Sequence, residues 1–115
     1  MNGLADNEIV LIPSFEKKLK SGKFKSHEKI ILSLLRKLDI MGRACLKILD
    51  VADHYLLCEM KVMKPPYRLY VLADKRNKKF YILEWSHKEK QNKTIGELRL
   101  KMFLALKSGF ERTFN

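Results

Sequence analysis

Apolar residues along the chain change their spacing twice. At 8–12, EIVLI is an unbroken, partly β-branched run stopped by Pro13, which has no N–H to give a ladder, and it predicts a strand. Between residues 14 and 42 the period is helical. Ser14 offers an N-cap to FEKKLKS, which Gly22 ends. Ser26, with Glu28 in the first turn, opens HEKIILSLLRKLDIMG, where Ile30, Ile31, Leu34, Leu35 and Leu38 align on one face before Gly42. From residue 55 the period falls to two, and YLLCEMKVM, YRLYVLAD and KFYILEWS read as three strands separated by KPP and the turn DKRNKK. TIGELRLKMFLALKSG then returns to helix, with Thr94 and Glu97 as a capping box, Leu98, Met102 and Ala105 on an apolar face, and Gly109 as the stop. The predicted order is β-α-α-β-β-β-α. It defines an α+β two-layer domain, in which the N-terminal strand and two helices pack on an antiparallel sheet that a C-terminal helix completes.

Alternation assigns faces. Glu59 and Lys61 share one side of the first meander strand, and Leu56, Cys58, Met60 and Val62 share the side expected to meet the helices. Arg68 and Tyr70 share a face of the next strand, and Tyr81, Leu83, Trp85 and His87 a face of the last, where Leu83 against Glu84 makes the parity less clean. If the open faces coincide, Glu59, Lys61, Arg68, Tyr70, Trp85 and His87 converge on one surface.

Composition changes what that surface is for. The chain has 115 residues, enough for one domain spanning 1–115, and 46% of them are apolar, enough for one core. Lys and Arg number 24 against 13 Asp and Glu, a formal charge of +11. The excess is uneven: residues 1–58 hold 10 basic and 7 acidic residues, and residues 59–115 hold 14 and 6. A field of this kind attracts polyanions or an acidic partner, with nucleic acid favoured. Cys45 and Cys58 lack the spacing of a zinc site, so no metal or other cofactor is expected. MNGLADNE has no pattern of a targeting segment, and no apolar run approaches the roughly 18–20 residues of a bilayer span. We therefore expect a reduced, cytoplasmic protein away from membranes.

Cleaving RNA by internal transfer needs a base for the ribose 2′ hydroxyl, a cation on the phosphate and an acid for the leaving 5′ oxygen. Glu59 or Lys61 could be the base, Arg68 the bidentate phosphate clamp and His87 the acid. Tyr70, Tyr81 or Trp85 could stack on a base, and Lys88, Lys90 and Lys93 could follow the backbone. The plainer reading of the same residues is a solvated strand face beside ordinary β-forming aromatics, with a soluble hairpin turn at 75–79.

Order and spacing add a resemblance. KILD (47–50), YLLCEMK, then PYRLYVLADKRNKKFYILEWSHKEKQNKT and GELRLKMFLAL are similar, in sequence, to the RelE/ParE superfamily of toxins from toxin–antitoxin systems. In that likeness Glu59, Met60 and Lys61 stand where the family has ELR, Tyr67 and Arg68 form its YR pair, and His87 with Lys88 occupies the basic end of its last strand. The resemblance implies a β-α-α-β-β-β core with an optional final helix. It implies, for the RelE-like branch, a metal-free endoribonuclease that cuts mRNA in the ribosomal A site, with a cognate antitoxin as partner. Glu59, Arg68 and His87 favour that branch over the ParE-like one, which poisons DNA gyrase; a noncatalytic RNA- or ribosome-binding protein is the third option. Lys61 in place of Arg lacks the planar fork, and Glu89 follows Lys88 where the family prefers a base, so a weakened or inactive member fits too.

Overall fold

The computed structural model describes residues 7–115. Residues 1–6, which carry most of the MNGLADNE stretch, lie outside it. The chain forms β1 (Glu8–Leu11), α1 (Pro13–Lys20), α2 (Glu28–Met41), β2 (Lys47–Ala52), β3 (Tyr55–Val62), β4 (Tyr67–Asp74), β5 (Lys79–His87), α3 (Gln91–Ser108) and α4 (Phe110–Thr113). Short 3-10 turns at Lys25–His27, Gly42–Cys45 and Lys88–Lys90 lead into α2, β2 and α3.

The class is α+β, as the periodicity predicts, and four of its five strands were legible. The fifth, β2, was not expected as a strand: KILDVA breaks its apolar run with Lys47 and Asp50 because it is an edge strand, half in solvent. It joins β3 through a tight turn at Asp53 and His54, where Asp53 takes a positive φ of 54°. The sheet runs β1-β5-β4-β3-β2 and is mixed: the meander is antiparallel, but β1 lies parallel to β5, pairing Glu8 with Lys79 and Leu11 with Ile82. The expectation of an all-antiparallel sheet is corrected here. The segment holding α1, α2 and the first three meander strands separates β1 from β5, ample length for a crossover.

Helices cover both faces instead of one. One face meets α3, through Gln91 on Glu59, Thr94 on Ser86 and Arg99 on Asp50. The other meets the turn before α2, where His27 packs on Tyr67 and Trp85. That double cover explains why β3 and β4 are buried at nearly every position. Ile31, Leu38, Leu57, Leu69, Leu72, Ile82 and Met102 are fully enclosed, each contributing roughly 1.5–3 kcal/mol relative to exposure.

Helix starts also differ from the expected caps. Ile12 is the N-cap of α1, and Pro13, with no N–H to leave unsatisfied, takes the first turn. Ser26 sits inside a 3-10 turn, and α3 begins at Gln91, so Thr94 lies within its first turn and faces Ser86 instead of capping.

Candidate functional site

Strand parity decides which side chains can meet. In β3 and β4, Glu59 lies opposite Tyr70 and Lys61 opposite Arg68, so these four share the face that α3 covers. β4 and β5 pair Arg68 with Ser86 and Tyr70 with Glu84, then Val71 with Ile82, which leaves Leu83 unopposed in a β-bulge. One extra residue reverses the parity of everything after it. Trp85 and His87, opposite Leu69 and Tyr67, therefore stand on the other face from Glu59, Arg68 and Tyr70. The expected convergence of Glu59, Arg68, Tyr70, Trp85 and His87 does not occur.

On the α3 side, Glu59 (2% exposed) and Arg68 (8%) form a buried pair. Glu59 Oε2 is 3.8 Å from Arg68 Nε, and Gln91 Nε2 donates to Glu59 Oε1 at 3.2 Å. Arg68 Nη1 donates to the Tyr67 carbonyl at 3.1 Å, so part of the guanidinium is engaged by its own strand. Arg68 Nε and the Tyr70 hydroxyl lack a hydrogen-bond partner among the described residues. Burial, followed by the Glu59 carboxylate, pushes the Tyr70 phenol above its ordinary range, and Ser86 lies near it without hydrogen-bond geometry. Neither the expected base, Glu59, nor the expected phosphate clamp, Arg68, faces solvent. Tyr70 is wholly enclosed and cannot stack on a base, while Lys61 is exposed at the strand end.

Past Leu11, β1 ends and leaves β5 with a free edge from Glu84 to His87. A groove of about 390 Å³ opens there, between α1, the turn before α2 and the start of α3. Lys18, Lys23, Lys90 and Lys93 line it beside His27, His87, Tyr67 and Thr94, with Glu84 and Glu97 as its only carboxylates. Lys18 is spent on Glu84, at 3.0 Å. The Glu84 carboxylate also accepts the Trp85 backbone N–H at 3.1 Å, satisfying an edge donor that a neighbouring strand would otherwise take. Lys23, Lys90 and Lys93 have no ion pair among the described residues, so the groove is net positive.

Its floor is aromatic. Tyr67 and Trp85 stack at 5.0 Å, His27 sits edge-on to both, and His87 is edge-on to Tyr67. Trp85 is buried and its indole N–H donates to His27 Nδ1 at 3.0 Å, so it supports the groove instead of offering a stacking surface as expected. His87 Nδ1 accepts the Glu89 backbone N–H at 3.1 Å. With Nδ1 accepting in both rings, each neutral imidazole carries its proton on Nε2. Glu89 thus orients His87 through its backbone, whatever its side-chain charge does.

Of the expected residues, His87, Lys90 and Lys93 come together, and Lys88 is exposed at the strand exit beside them. Lys18, Lys23, His27, Tyr67 and Glu97 were missed as groove residues. Lys18 and Lys23 read only as part of a basic helical unit, and although Pro13 marks the end of β1, nothing in the sequence indicates that β1 pairs with β5 and leaves the rest of its edge open. Among the described residues no cluster of His, Cys, Asp or Glu is arranged to hold a metal, and no helix is long and apolar enough to cross a membrane. Compared with protein-family models, curated proteins and solved structures, the chain matches none.

Proposed function

We propose that the protein is a toxin of the RelE-like kind, an endoribonuclease that engages mRNA on the ribosome in the groove at the β5 edge and stops translation. The observation that carries the reading is the groove: unpaired lysines, an exposed-edge His87 and an aromatic floor in one positive cleft. Three ammonium groups suit consecutive phosphates of a single strand, and Tyr67 and the His27 ring suit its bases.

In this reading the ribose 2′ oxygen attacks phosphorus, the bond from phosphorus to the 5′ oxygen breaks, and a 2′,3′-cyclic phosphate forms. Glu97, a groove carboxylate without an ion pair among the described residues, takes the 2′ proton. His87, as imidazolium, gives a proton to the 5′ oxygen. Forming that imidazolium places a proton on Nδ1 and costs the Glu89 N–H contact. Lys90 and Lys93 hold the phosphate as charge builds. Glu59 and Arg68 serve the fold under α3. The likeness to the family extends to a cognate antitoxin as partner.

The test is a translation system programmed with one defined mRNA, with break sites mapped by their 5′ ends. Purified protein is expected to cut within translated codons, and His87→Ala to slow cutting by about 10²- to 10⁴-fold, the usual range for a general acid. Intact message beside ongoing translation overturns the reading. The burial of Glu59 and Arg68 favours a second reading, a protein that binds RNA or the ribosome without cutting it; ribosome association with uncut message would select it.

A further inference from the structure

α3 is apolar on two sides. Leu98, Met102 and Ala105 face the sheet and are buried. Leu100, Phe103 and Leu104, spaced for the opposite side of the helix, remain 61%, 45% and 43% exposed. On a solvated helix that side would carry charge. Its own ends do: Lys93 lies two turns before Leu100 and Lys107 one turn after Phe103, with Lys101 on the flank. Gly96 completes the stripe, and a side chain added there would meet nothing within 4 Å, so the helix surface is flat and open at that point.

We propose that this outer face of α3 is a docking surface for an amphipathic helix of another protein, apolar along the contact and acidic along its flanks. Helix against helix follows from the ridge that Leu100, Phe103 and Leu104 make, which fits the grooves of a second helix. The acidic character follows from charge complementarity. Lys93, Lys101 and Lys107 border the stripe without ion pairs among the described residues and outnumber its one carboxylate, Glu97, whereas Arg99, on the sheet side, is already held by Asp50 at 2.6 Å. A second copy of the chain would bring its own +11 and the same three lysines to the contact, so self-association through this face is opposed. The surface adjoins the β5-edge groove at Lys93 and Glu97 and extends away from it along Leu100, Phe103 and Leu104, and the proposal does not rest on RNA cleavage.

The experiment titrates the full chain into a labelled synthetic amphipathic helix bearing Leu on one face and Glu on its flanks, beside a twin with Lys in place of every Glu, read by fluorescence anisotropy. The acidic peptide is expected to bind saturably and the basic twin not. Leu100→Ser and Phe103→Ser should each weaken binding about tenfold, as central contacts of an interface do. A Lys101→Glu/Lys107→Glu variant, which alters no apolar contact, should weaken the acidic peptide and admit the basic one. No saturable binding, equal binding of the two peptides, or binding indifferent to these substitutions overturns the proposal. Sedimentation of the free chain as a dimer that Phe103→Ser dissociates also overturns it, in favour of a second copy.

Discussion

Two regions of the sheet hold the same kinds of side chain and have opposite fates. Beneath α3, Glu59, Arg68 and Tyr70 are closed in, and the one carboxylate faces the one guanidinium. Around the β5 exit, lysines and His87 surround a groove in which charge is left over. The residue types do not separate these regions. What separates them is the bulge at Leu83 and the early end of β1, one of which sends His87 to the other face while the other opens the edge. Chemistry suited to a phosphate counts as a site only where the backbone leaves it in reach of one.

The largest expected effect breaks the comparison on the closed side. Glu59→Leu leaves Arg68 buried without its partner and should destabilise the fold by about 3–5 kcal/mol in chemical denaturation. Glu59→Leu with Arg68→Met removes both charges and should recover most of that loss. A Glu59→Leu protein of unchanged stability would mean that the pair is solvated. On the open side, His87→Ala removes a cap and an edge contact with Tyr67 and should cost about 1–2 kcal/mol, well short of the Glu59 effect, while slowing cutting far more.

Titration sharpens the contrast between the interior and the groove. Burial pushes the Cys58 thiol from its ordinary 9.0 to about 12, and burial likewise raises Tyr70. Both groups are held neutral in the folded state more strongly than in the unfolded one. Their contribution is complete below the unfolded values and is lost as pH climbs through the folded ones, so stability should decline above about pH 9. At pH 8 a thiol at about 12 is thiolate only about 10⁻⁴ of the time, and Cys58 should resist alkylation until denaturant is added. Prompt labelling of Cys58 in the native protein would contradict its enclosure.

The smallest effect concerns the Lys18 and Glu84 pair, each about a third exposed or less. Lys18→Ala should cost no more than about 1 kcal/mol, measured by the same denaturation, since partly solvated ion pairs contribute little. It also leaves the Glu84 carboxylate uncompensated in the groove, so RNA binding should weaken with the loss of one net positive charge.

The sequence made the class and four strands readable because the apolar period is strong there, with two-residue alternation from Tyr55 and helical spacing from Ile30 to Leu38. Edge strand β2 escaped because half of it faces water and carries polar residues. The pairing of β1 beside β5 escaped because parallel contacts span most of the chain and leave no local mark. The site was half legible for one physical reason. Alternation places Glu59 and Arg68 correctly on one face, and a bulge residue as ordinary as Leu83 then cancels the inference for Trp85 and His87. Leu83 against Glu84 was the visible irregularity, yet nothing in those two residues fixes which one bulges.

Where RNA meets the protein can be measured directly, because the basic hairpin turn and the groove stand at opposite ends of β5. Binding of a single-stranded RNA is compared, across a series of salt concentrations, for the wild type, for Lys90→Glu/Lys93→Glu in the groove, and for Lys75→Glu/Lys78→Glu in the turn. The groove variant should lose at least about tenfold in affinity and lower the salt slope by about 0.7 for each phosphate contact removed, while the turn variant stays close to wild type. Loss of binding in the turn variant with the groove variant unchanged would place the RNA at the wrong end of the strand and contradict the site.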